Sequence, residues 1–508
     1  MLRQVKTENG WVRGIEAADP RITAFRGIPF AAPPVGRNRW RAPQPCENWA
    51  GVRDTSRFAP ISMQWIPGLG DDIYCREWHV DPEIPMGEDC LYLNVWTGAK
   101  KAGEKQPVLV WFFGGGLQCG YTAEMEFDGE RIARRGIVVV TVNYRVGALG
   151  FLTHPQLSRE QPDAPANFGN LDQQAGLRWV QKNIAAFGGD PSRVTIAGQS
   201  AGGGSVMSQL ACKANKGLFR NCVVMSAMIF DPYLRREIGR PETLKQAEKK
   251  GEDFFAFLGV KTLEEARALD AVTLQRSYEK YMENHVPFFT VQDDLFCVGD
   301  PIALYRKGDC LDINMMAGCT ADEFPNTVNA GDEETLVSEA ERIFGSKADK
   351  FLAFPESKTF LSGQGYAPVS GIECTVKGVL GDRAKDGKPG YVYVFNPDIP
   401  GWDNPGTFHS SDLWFWFETL AKCWRPFKGR HYDLARQMCD YFCNFIRTGN
   451  PNGKDLNGEA LPAWEPWSEQ EPCTMQFLGS GAAPVTKSLP PFKQFISDRI
   501  MERIRKEK

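Results

Sequence analysis

Six apolar runs, separated by helix-like or loop segments, constrain the fold of this chain more than any other feature of its sequence. They cover residues 108–113, 137–144, 194–198, 222–226, 313–318 and 391–395. The runs are continuously apolar rather than alternating, which indicates strands that are covered on both faces. Residues 171–187 instead have apolar positions at helical spacing and are followed by a glycine pair. Strands that alternate with helices predict a mainly parallel sheet with right-handed crossovers. We therefore predict one α/β domain over residues 1–508, with the charged segment 241–269 as inserted surface helices.

Composition argues against several classes of function. The 508 residues carry a formal net charge of −4 with both signs interspersed, which argues against nucleic acid as a partner. No apolar run reaches the roughly 18 residues that span a membrane, and the first residues lack the apolar core of a signal peptide. The 14 cysteines form no CxxC pair and the five histidines lie far apart, so we expect free thiols, no metal and no cofactor. These features predict a cytoplasmic protein.

One serine stands in a setting that favours nucleophilic chemistry. Ser200 lies between Gly198 and Gly202, directly after the apolar run 194–198 and directly before a predicted helix. A tight strand-to-helix turn lifts the central side chain clear of the sheet, and the flanking glycines leave room for it. The helix N-terminus then favours negative charge beside the serine oxygen. An ordinary glycine-rich turn is the alternative, so the partners of Ser200 must decide.

A serine hydroxyl needs a general base, and the base needs a carboxylate. In strand-to-helix hydrolase turns the chain order is serine, acid, histidine. His409 follows the run 391–395 on a loop and is the favoured base, whereas His431 begins a long amphipathic helix and His285 is placed to line a pocket wall. Asp322 and Glu323 follow the run 313–318, and the residues alone do not choose between them as the acid. Both are also explained as loop carboxylates that cap a turn.

A glycine triplet supplies the amides that an oxyanion would need. Gly114–Gly116 come directly after the run 108–113, and their amides are unobstructed by side chains. A phosphate-binding loop is the alternative interpretation. Neither GxxxxGK[ST] nor GxGxxG fits the segment, so nucleotide binding is disfavoured.

Four longer motifs extend along nearly the whole chain. They are FRGIPFAAPPVGRNRWRAPQP from Phe25, EDCLYLNVW, NYRVGALGF and NFGNLDQQAGLRWVQKNIAAFGGDPSRVTIAGQSAGGGSV. Through these motifs the chain resembles the type B carboxylesterases, the branch of the α/β-hydrolase fold that also contains cholinesterases and several lipases. The resemblance implies a large, mostly parallel mixed sheet flanked by helices, and two-step ester hydrolysis through an acyl-enzyme, without a cofactor.

The resemblance also implies roles for individual residues. It makes Ser200 the nucleophile, Glu323 the acid and His409 the base. The oxyanion hole would be the amides of Gly115, Gly116 and Ala201, and Ser226 stands where the family has a second serine near the triad.

The chain departs from the family pattern at three places. Phe113 precedes the glycine triplet where the family commonly has histidine, and Gln199 precedes the nucleophile where glutamate is usual. Gln199 removes a negative charge and weakens the case for a cationic substrate. The usual disulfide partner of Cys90 is missing, although Cys75 is available in an oxidising environment. The sequence is therefore identified as an intracellular or bacterial-type member.

The substrate that this sequence predicts is an uncharged short-to-medium acyl or aryl ester. Candidate pocket residues are Trp65, Phe113, Gln199, Phe288, Phe289 and Trp414, with Trp416 and Phe417 beside the last. The alternative for these aromatic residues is a place in the core. A lipase with residues 65–86 as its lid, a feruloyl-type esterase and a non-catalytic binding protein are the rival functions. The sequence does not distinguish a monomer from a homodimer.

Overall fold

The computed structural model describes residues 1–230, 240–324, 330–361 and 371–506. Its strands are β1 (Gln4–Lys6), β2 (Trp11–Arg13), β3 (Ile15–Glu16), β4 (Thr23–Pro29), β5 (Val52–Asp54), β6 (Tyr92–Thr97), β7 (Gln106–Phe112), β8 (Val138–Val142), β9 (Gly189–Gln199), β10 (Asn221–Met225), β11 (Glu242–Thr243), β12 (Val291–Gln292), β13 (Asn314–Thr320), β14 (Tyr391–Asn396), β15 (Cys473–Leu478) and β16 (Gly481–Thr486). Its helices are α1 (Ile73–Glu77), α2 (Glu130–Ala133), α3 (Gly147–Phe151), α4 (Pro155–Glu160), α5 (Phe168–Asn183), α6 (Ala201–Ala211), α7 (Leu244–Leu258), α8 (Leu263–Ala268), α9 (Ala271–Met282), α10 (Pro301–Lys307), α11 (Glu333–Phe344), α12 (Ala348–Leu352), α13 (Gly371–Lys385), α14 (Leu413–Trp416), α15 (Gly429–Thr448) and α16 (Pro491–Lys506).

A mixed sheet of 11 strands organises the fold, in the order β16-β15-β14-β13-β10-β9-β7-β8-β6-β4-β3. The strands from β15 to β8 run parallel to their neighbours, and the pairs at both ends of the sheet are antiparallel. The six apolar runs lie in β7, β8, β9, β10, β13 and β14. The predicted mostly parallel sheet is confirmed.

The central strands are covered on both faces, as continuous apolar runs require. In β7, Val108, Val110 and Phe112 pack into one hydrophobic cluster. The alternate residues Leu109 and Trp111 pack into the other. Successive side chains of a strand point to opposite faces, so each face of the sheet supports its own layer of helices.

The predicted helices are also confirmed. Residues 171–187 correspond to α5 and a following 3-10 turn, Ile184–Phe187, which ends at Gly188 with φ 86°. The charged segment 241–269 holds α7 and α8, and each begins with a capping box, at Thr243 and Thr262. Helix α16 packs on α13, where Lys493 Nζ lies 2.6 Å from Glu373 Oε2.

Both edges of the large sheet are interrupted. At one edge, β16 carries Pro484, which has no amide to donate. At the other edge, β3 is only two residues long. In the described part of the chain, no helix is long and apolar enough to cross a membrane.

Candidate active site

Five neighbouring parallel strands bring the predicted site residues to one edge of the sheet. In sheet order these strands are β7, β9, β10, β13 and β14. The glycine triplet follows β7, Ser200 follows β9, Ser226 follows β10, and Glu323 and His409 lie on the loops after β13 and β14. The carboxyl ends of parallel strands are where open α/β sheets collect their sites.

Ser200 occupies a strained turn between β9 and α6. Its backbone has φ 55° and ψ −127°, a conformation that side chains other than glycine rarely adopt. Its amide donates to the carbonyl of Met225 at 2.9 Å, which ties the turn to β10. A Cβ on Gly202 would lie 2.1 Å from the carbonyl oxygen of Phe112, so only glycine permits this close approach.

Glu323, and not Asp322, contacts the imidazole of His409. Glu323 Oε2 lies 2.5 Å from His409 Nδ1, and both side chains are buried. The second oxygen, Oε1, accepts the amide of Thr320 at 3.0 Å. The carboxylate therefore has a donor on each oxygen, and it fixes the Nδ1–H tautomer of the ring.

Asp322 has a different task in the same loop. Its carboxylate accepts the backbone amide and the hydroxyl of Thr407, at 2.8 and 3.0 Å. The amide of Asp322 donates in return to the Thr407 carbonyl at 3.2 Å. This pairing holds the loop that carries His409 against the loop that carries Glu323.

The other ring nitrogen of His409 faces an amide rather than the serine hydroxyl. Gln199 Nε2 lies 3.3 Å from His409 Nε2, in a buried contact. Among the described residues, the Ser200 hydroxyl forms no hydrogen bond with His409. The structure therefore brings Glu323 and His409 together, and brings Gln199, the residue before Ser200, into contact with His409.

The glycine triplet lies against Ser200. A Cβ on Gly114 would lie 3.1 Å from Ser200 Cβ, and Gly115 and Gly116 have φ of 93° and 63°. Within the described chain, no protein carbonyl accepts the amides of Gly115 and Gly116. These two donors are thus available beside Ser200, while the Gly115 carbonyl is used by the amides of Gln118 and Cys119 at 2.9 and 3.1 Å.

Gln118 supports the glycine loop, and its role is not visible in the sequence pattern. Its amide nitrogen donates to the carbonyls of Gly116 and Phe288, at 3.2 and 2.8 Å. Its amide oxygen accepts the hydroxyl of Tyr278 at 2.8 Å. The loop is therefore held by a buried side chain whose polar atoms are all satisfied.

The predicted pocket residues divide into buried and exposed sets. Phe113 stacks on Tyr144 with ring centroids 4.1 Å apart, and Phe288 and Trp414 are equally buried. Trp65 and Phe289 are 37% and 42% exposed. Gln199 is the member whose contact with a triad candidate is direct. Trp416 and Phe417 lie in the core.

Three aromatic residues near His409 were not predicted. The ring of Phe324, which follows Glu323, lies 4.2 Å from the His409 ring. Trp78 stacks on Phe408 at 6.3 Å, and Tyr74 lies 6.5 Å from the same ring. Burial raises the pKa of Tyr74 and the Glu323 charge raises it further. The sequence does not reveal the contacts of Tyr74 and Trp78, because residues 65–86 reach Phe408 only through tertiary packing.

Residues 65–86, called the flap below, are attached by buried ion pairs. Arg425 Nη2 lies 2.6 Å from Glu77 Oε1, with both side chains almost fully buried. Arg425 also pairs with Asp403 at 2.9 Å. His79 Nε2 lies 3.3 Å from Glu124 Oε1. The flap is therefore held by charge at Arg425, which follows α14, and by the stacking of Trp78 on Phe408, which precedes His409.

Asp412 is a second buried carboxyl close to the triad candidates. Its Oδ2 accepts Tyr393 Oη at 3.0 Å and Trp416 Nε1 at 3.1 Å. Burial raises the pKa of Asp412 to about 6, against the lowering effect of these two bonds. Asp412 stands three residues after His409, a position that no sequence argument singled out.

The remaining sequence predictions concern residues at or around this edge. His431 is buried and accepts the amide of Lys428 at 2.9 Å, which is the structural role expected at the start of α15. His285 is exposed and stacks on Tyr281 at 4.0 Å. Ser226 is buried with φ 50°.

The cysteines that the sequence analysis singled out carry no disulfide bond. Cys75, Cys90 and Cys119 are unpaired, and burial raises the pKa of each thiol. No three His, Cys, Asp or Glu side chains of the described chain form a metal site.

Comparison with known proteins gives these features a context. Residues 2–359 and 370–488 match the carboxylesterase family. The chain is 31% identical to the cocaine esterase of Oryctolagus cuniculus over 491 residues, which cover 89% of this chain and 88% of that protein. It is 36% identical to the fumonisin B1 esterase of Sphingopyxis macrogoltabida over 319 residues, 62% of this chain, and spans only 55% of that protein's length. A solved PNB esterase superposes with a TM-score of 0.78 at 27% identity, covering 98% of this chain and 99% of that one.

The sheet order and these similarities define an ester hydrolase of the α/β-hydrolase fold. The chain belongs to the carboxylesterase family, as the sequence motifs predicted, and is a carboxylic ester hydrolase. Its substrate class is a small-molecule ester.

Proposed function

We propose that this esterase hydrolyses uncharged short-to-medium acyl or aryl esters, with Ser200 as nucleophile, His409 as base and Glu323 as acid. The 2.5 Å contact of His409 with Glu323 at the strand edge that carries Ser200 is the observation that supports the triad. The same contact supports the Nδ1–H tautomer of His409, because a carboxylate that accepts the Nδ1 proton leaves the Nε2 lone pair free to accept the serine proton.

In the proposed first step, Ser200 Oγ attacks the ester carbonyl while His409 Nε2 takes its proton. The tetrahedral oxyanion accepts hydrogen bonds from the amides of Gly115, Gly116 and Ala201. Two of these amides have no other acceptor among the described residues. Loss of one such donor typically lowers the rate by about 10²–10³.

In the second step, the imidazolium gives its proton to the leaving alcohol and the acyl-enzyme forms. Water, deprotonated by the same ring, then attacks the acyl carbonyl and releases the acid and Ser200. Glu323 keeps the ring oriented and stabilises its charged form in both steps.

The preference for uncharged esters is argued from the groups around the base. The ring of Phe324 lies against His409, and the rings of Tyr74 and Trp78 lie against its neighbour Phe408. The residue before the nucleophile is an amide, Gln199, so no carboxylate stands there to attract a cation. Trp65 and Phe289 are exposed, so a substrate can contact them at the surface. The other aromatic candidates are buried and would support the pocket wall from behind: Phe113, Phe288 and Trp414.

We further propose a single domain over residues 1–508 and a cytoplasmic location. Support for the domain comes from β3 and β16, near opposite ends of the chain, which lie in one sheet. Support for a reducing compartment comes from the 14 unpaired cysteines, all of which fall within the described ranges.

The experiment is hydrolysis of p-nitrophenyl esters from acetyl to long acyl chains by the wild type, Ser200→Ala and Ser208→Ala. We expect turnover that peaks at short or medium chains and falls on the order of 10⁶-fold in Ser200→Ala. Ser208→Ala, on the same helix, controls for damage to α6 and should retain the activity. A jump above the solubility limit of the substrate would favour a lipase, and no turnover from folded wild type would favour a binding protein.

A further inference from the structure

Gln199 meets the base at the atom that must accept the serine proton. His409 Nδ1 is committed to Glu323 at 2.5 Å, so Nε2 carries the free lone pair of the neutral ring. Gln199 Nε2 lies 3.3 Å from that atom and is a donor only. The contact is therefore an amide donating to neutral imidazole.

The Gln199 side chain has little freedom to leave this position. Gln199 is 2% exposed and is the last residue of β9, paired in register with Met225 of β10. A Cβ on Gly114 would lie 3.1 Å from Gln199 Oε1 and 2.8 Å from the Gln199 carbonyl. The amide is thus held between the glycine loop and the imidazole.

We propose that Gln199 is a positioning residue that holds His409 neutral in the resting enzyme by donating to its Nε2 lone pair. This inference rests on the proposed function of His409 as the base. The bond is made only to neutral imidazole, since protonated Nε2 has no lone pair to offer. Proton transfer from Ser200 therefore breaks this hydrogen bond. Protonation of His409 by solvent would also cost the bond, so the contact favours the neutral ring in the resting enzyme.

Other charged or titratable groups lie on the elements around this ring. Glu323 contacts the ring from the loop after β13, where Asp322 binds Thr407, and Asp412 lies three residues after His409. Tyr74 reaches the site from α1, and Arg425 lies 5.5 Å from the ring of Phe408. A change at Gln199 leaves all of them in place, so the difference between variants reports on the amide.

The test compares Gln199→Met and Gln199→Glu with the wild type in kcat/KM against pH. Methionine keeps the length and removes the donor, and glutamate adds a negative charge at the same distance. Because the neutral base is the active form, a change that favours imidazolium moves the acid limb of the profile to higher pH. We expect a small upward move for Gln199→Met and a move of about 1–3 pH units for Gln199→Glu.

A second measurement does not need turnover. In the Ser200→Ala background, the His409 imidazole signal is assigned by its loss in His409→Gln and titrated by NMR in each Gln199 variant. We expect the midpoint of this titration to rise in the same order, from the Gln199 parent to Gln199→Met to Gln199→Glu. If ester hydrolysis is absent but the midpoints move, the proposed function fails while the contact stands.

Two results would overturn the proposal. One is a set of kcat/KM profiles against pH with unchanged midpoints and a lower plateau, which is the result expected if Gln199 only packs against its neighbours. The other is a midpoint that moves for Gln199→Glu alone, which would assign the effect to charge and not to the amide donor.

Discussion

Several residues in the turn around Ser200 are under tight steric constraint. Ser200 keeps an unfavourable backbone because Met225 and the start of α6 hold it from both sides. The glycines around it are not equivalent. Gly202 is pressed against β7, whereas a Cβ on Gly204 would meet nothing within 4 Å.

This difference gives a matched pair of substitutions within α6. We expect Gly202→Ala to destabilise the fold by about 3 kcal/mol or more, because its methyl would overlap the Phe112 carbonyl. Gly204→Ala should stabilise it by about 0.5–1 kcal/mol through helix propensity. Calorimetric Tm values of the two variants and the wild type test both signs. Equal losses at both positions would contradict the steric account.

At the scale of elements, the flap is held by a buried ion pair and not by a disulfide bond. Cys75 and Cys90 are unpaired, and the flap is attached instead through Glu77 and Arg425. A buried ion pair contributes little relative to apolar residues, but one member left alone is very unfavourable.

Arg425→Met is therefore expected to destabilise the protein by about 3–5 kcal/mol, since Glu77 would remain buried and uncompensated. The double variant Glu77→Gln/Arg425→Met should recover a substantial part of that loss. Apparent Tm values for the singles and the double test the coupling. Strictly additive losses would show that the two side chains act independently.

The strands that the apolar runs predict correctly are buried on both faces. The runs in β7, β9 and β13 are continuous because both faces are covered. Strands such as β16, with the sequence GAAPVT, carry partly exposed residues and no such signal, so the mixed sheet was implied by the family resemblance and not by the residue pattern.

The residues alone predicted the kinds of side chain in the site but not all of its contacts. They left Asp322 and Glu323 open as the acid, and the family resemblance favoured Glu323. In the structure Asp322 binds Thr407 and Glu323 contacts His409. The contact of Gln199 with His409 spans 210 positions, and no local pattern encodes it.

At the scale of the whole molecule, buried carboxyls make stability depend on pH. Burial raises the pKa of Asp412 to about 6, above its ordinary value. Folded protein then keeps a proton that the unfolded chain has already lost. The contribution of Asp412 to stability therefore falls as pH rises from about 4 to about 6, and it does not recover at higher pH.

Asp412→Asn should remove this dependence while still accepting bonds from Tyr393 and Trp416. We expect the variant to gain up to about 3 kcal/mol on the wild type between pH 4 and pH 6, since each pKa unit corresponds to about 1.4 kcal/mol. Tm measured against pH tests this, with exposed Asp163→Asn as control. A constant Tm difference at all pH values would mean that Asp412 does not titrate in this range.

The two interrupted edges of the sheet affect how copies of this protein meet. An open edge strand offers unpaired amides and carbonyls to any other strand, which is a common route to aggregation. Here Pro484 removes a donor from one edge, and the brevity of β3 leaves little to pair with at the other. We therefore expect that a strand from a second copy of the protein finds little to pair with at either edge of the large sheet, even at high protein concentration.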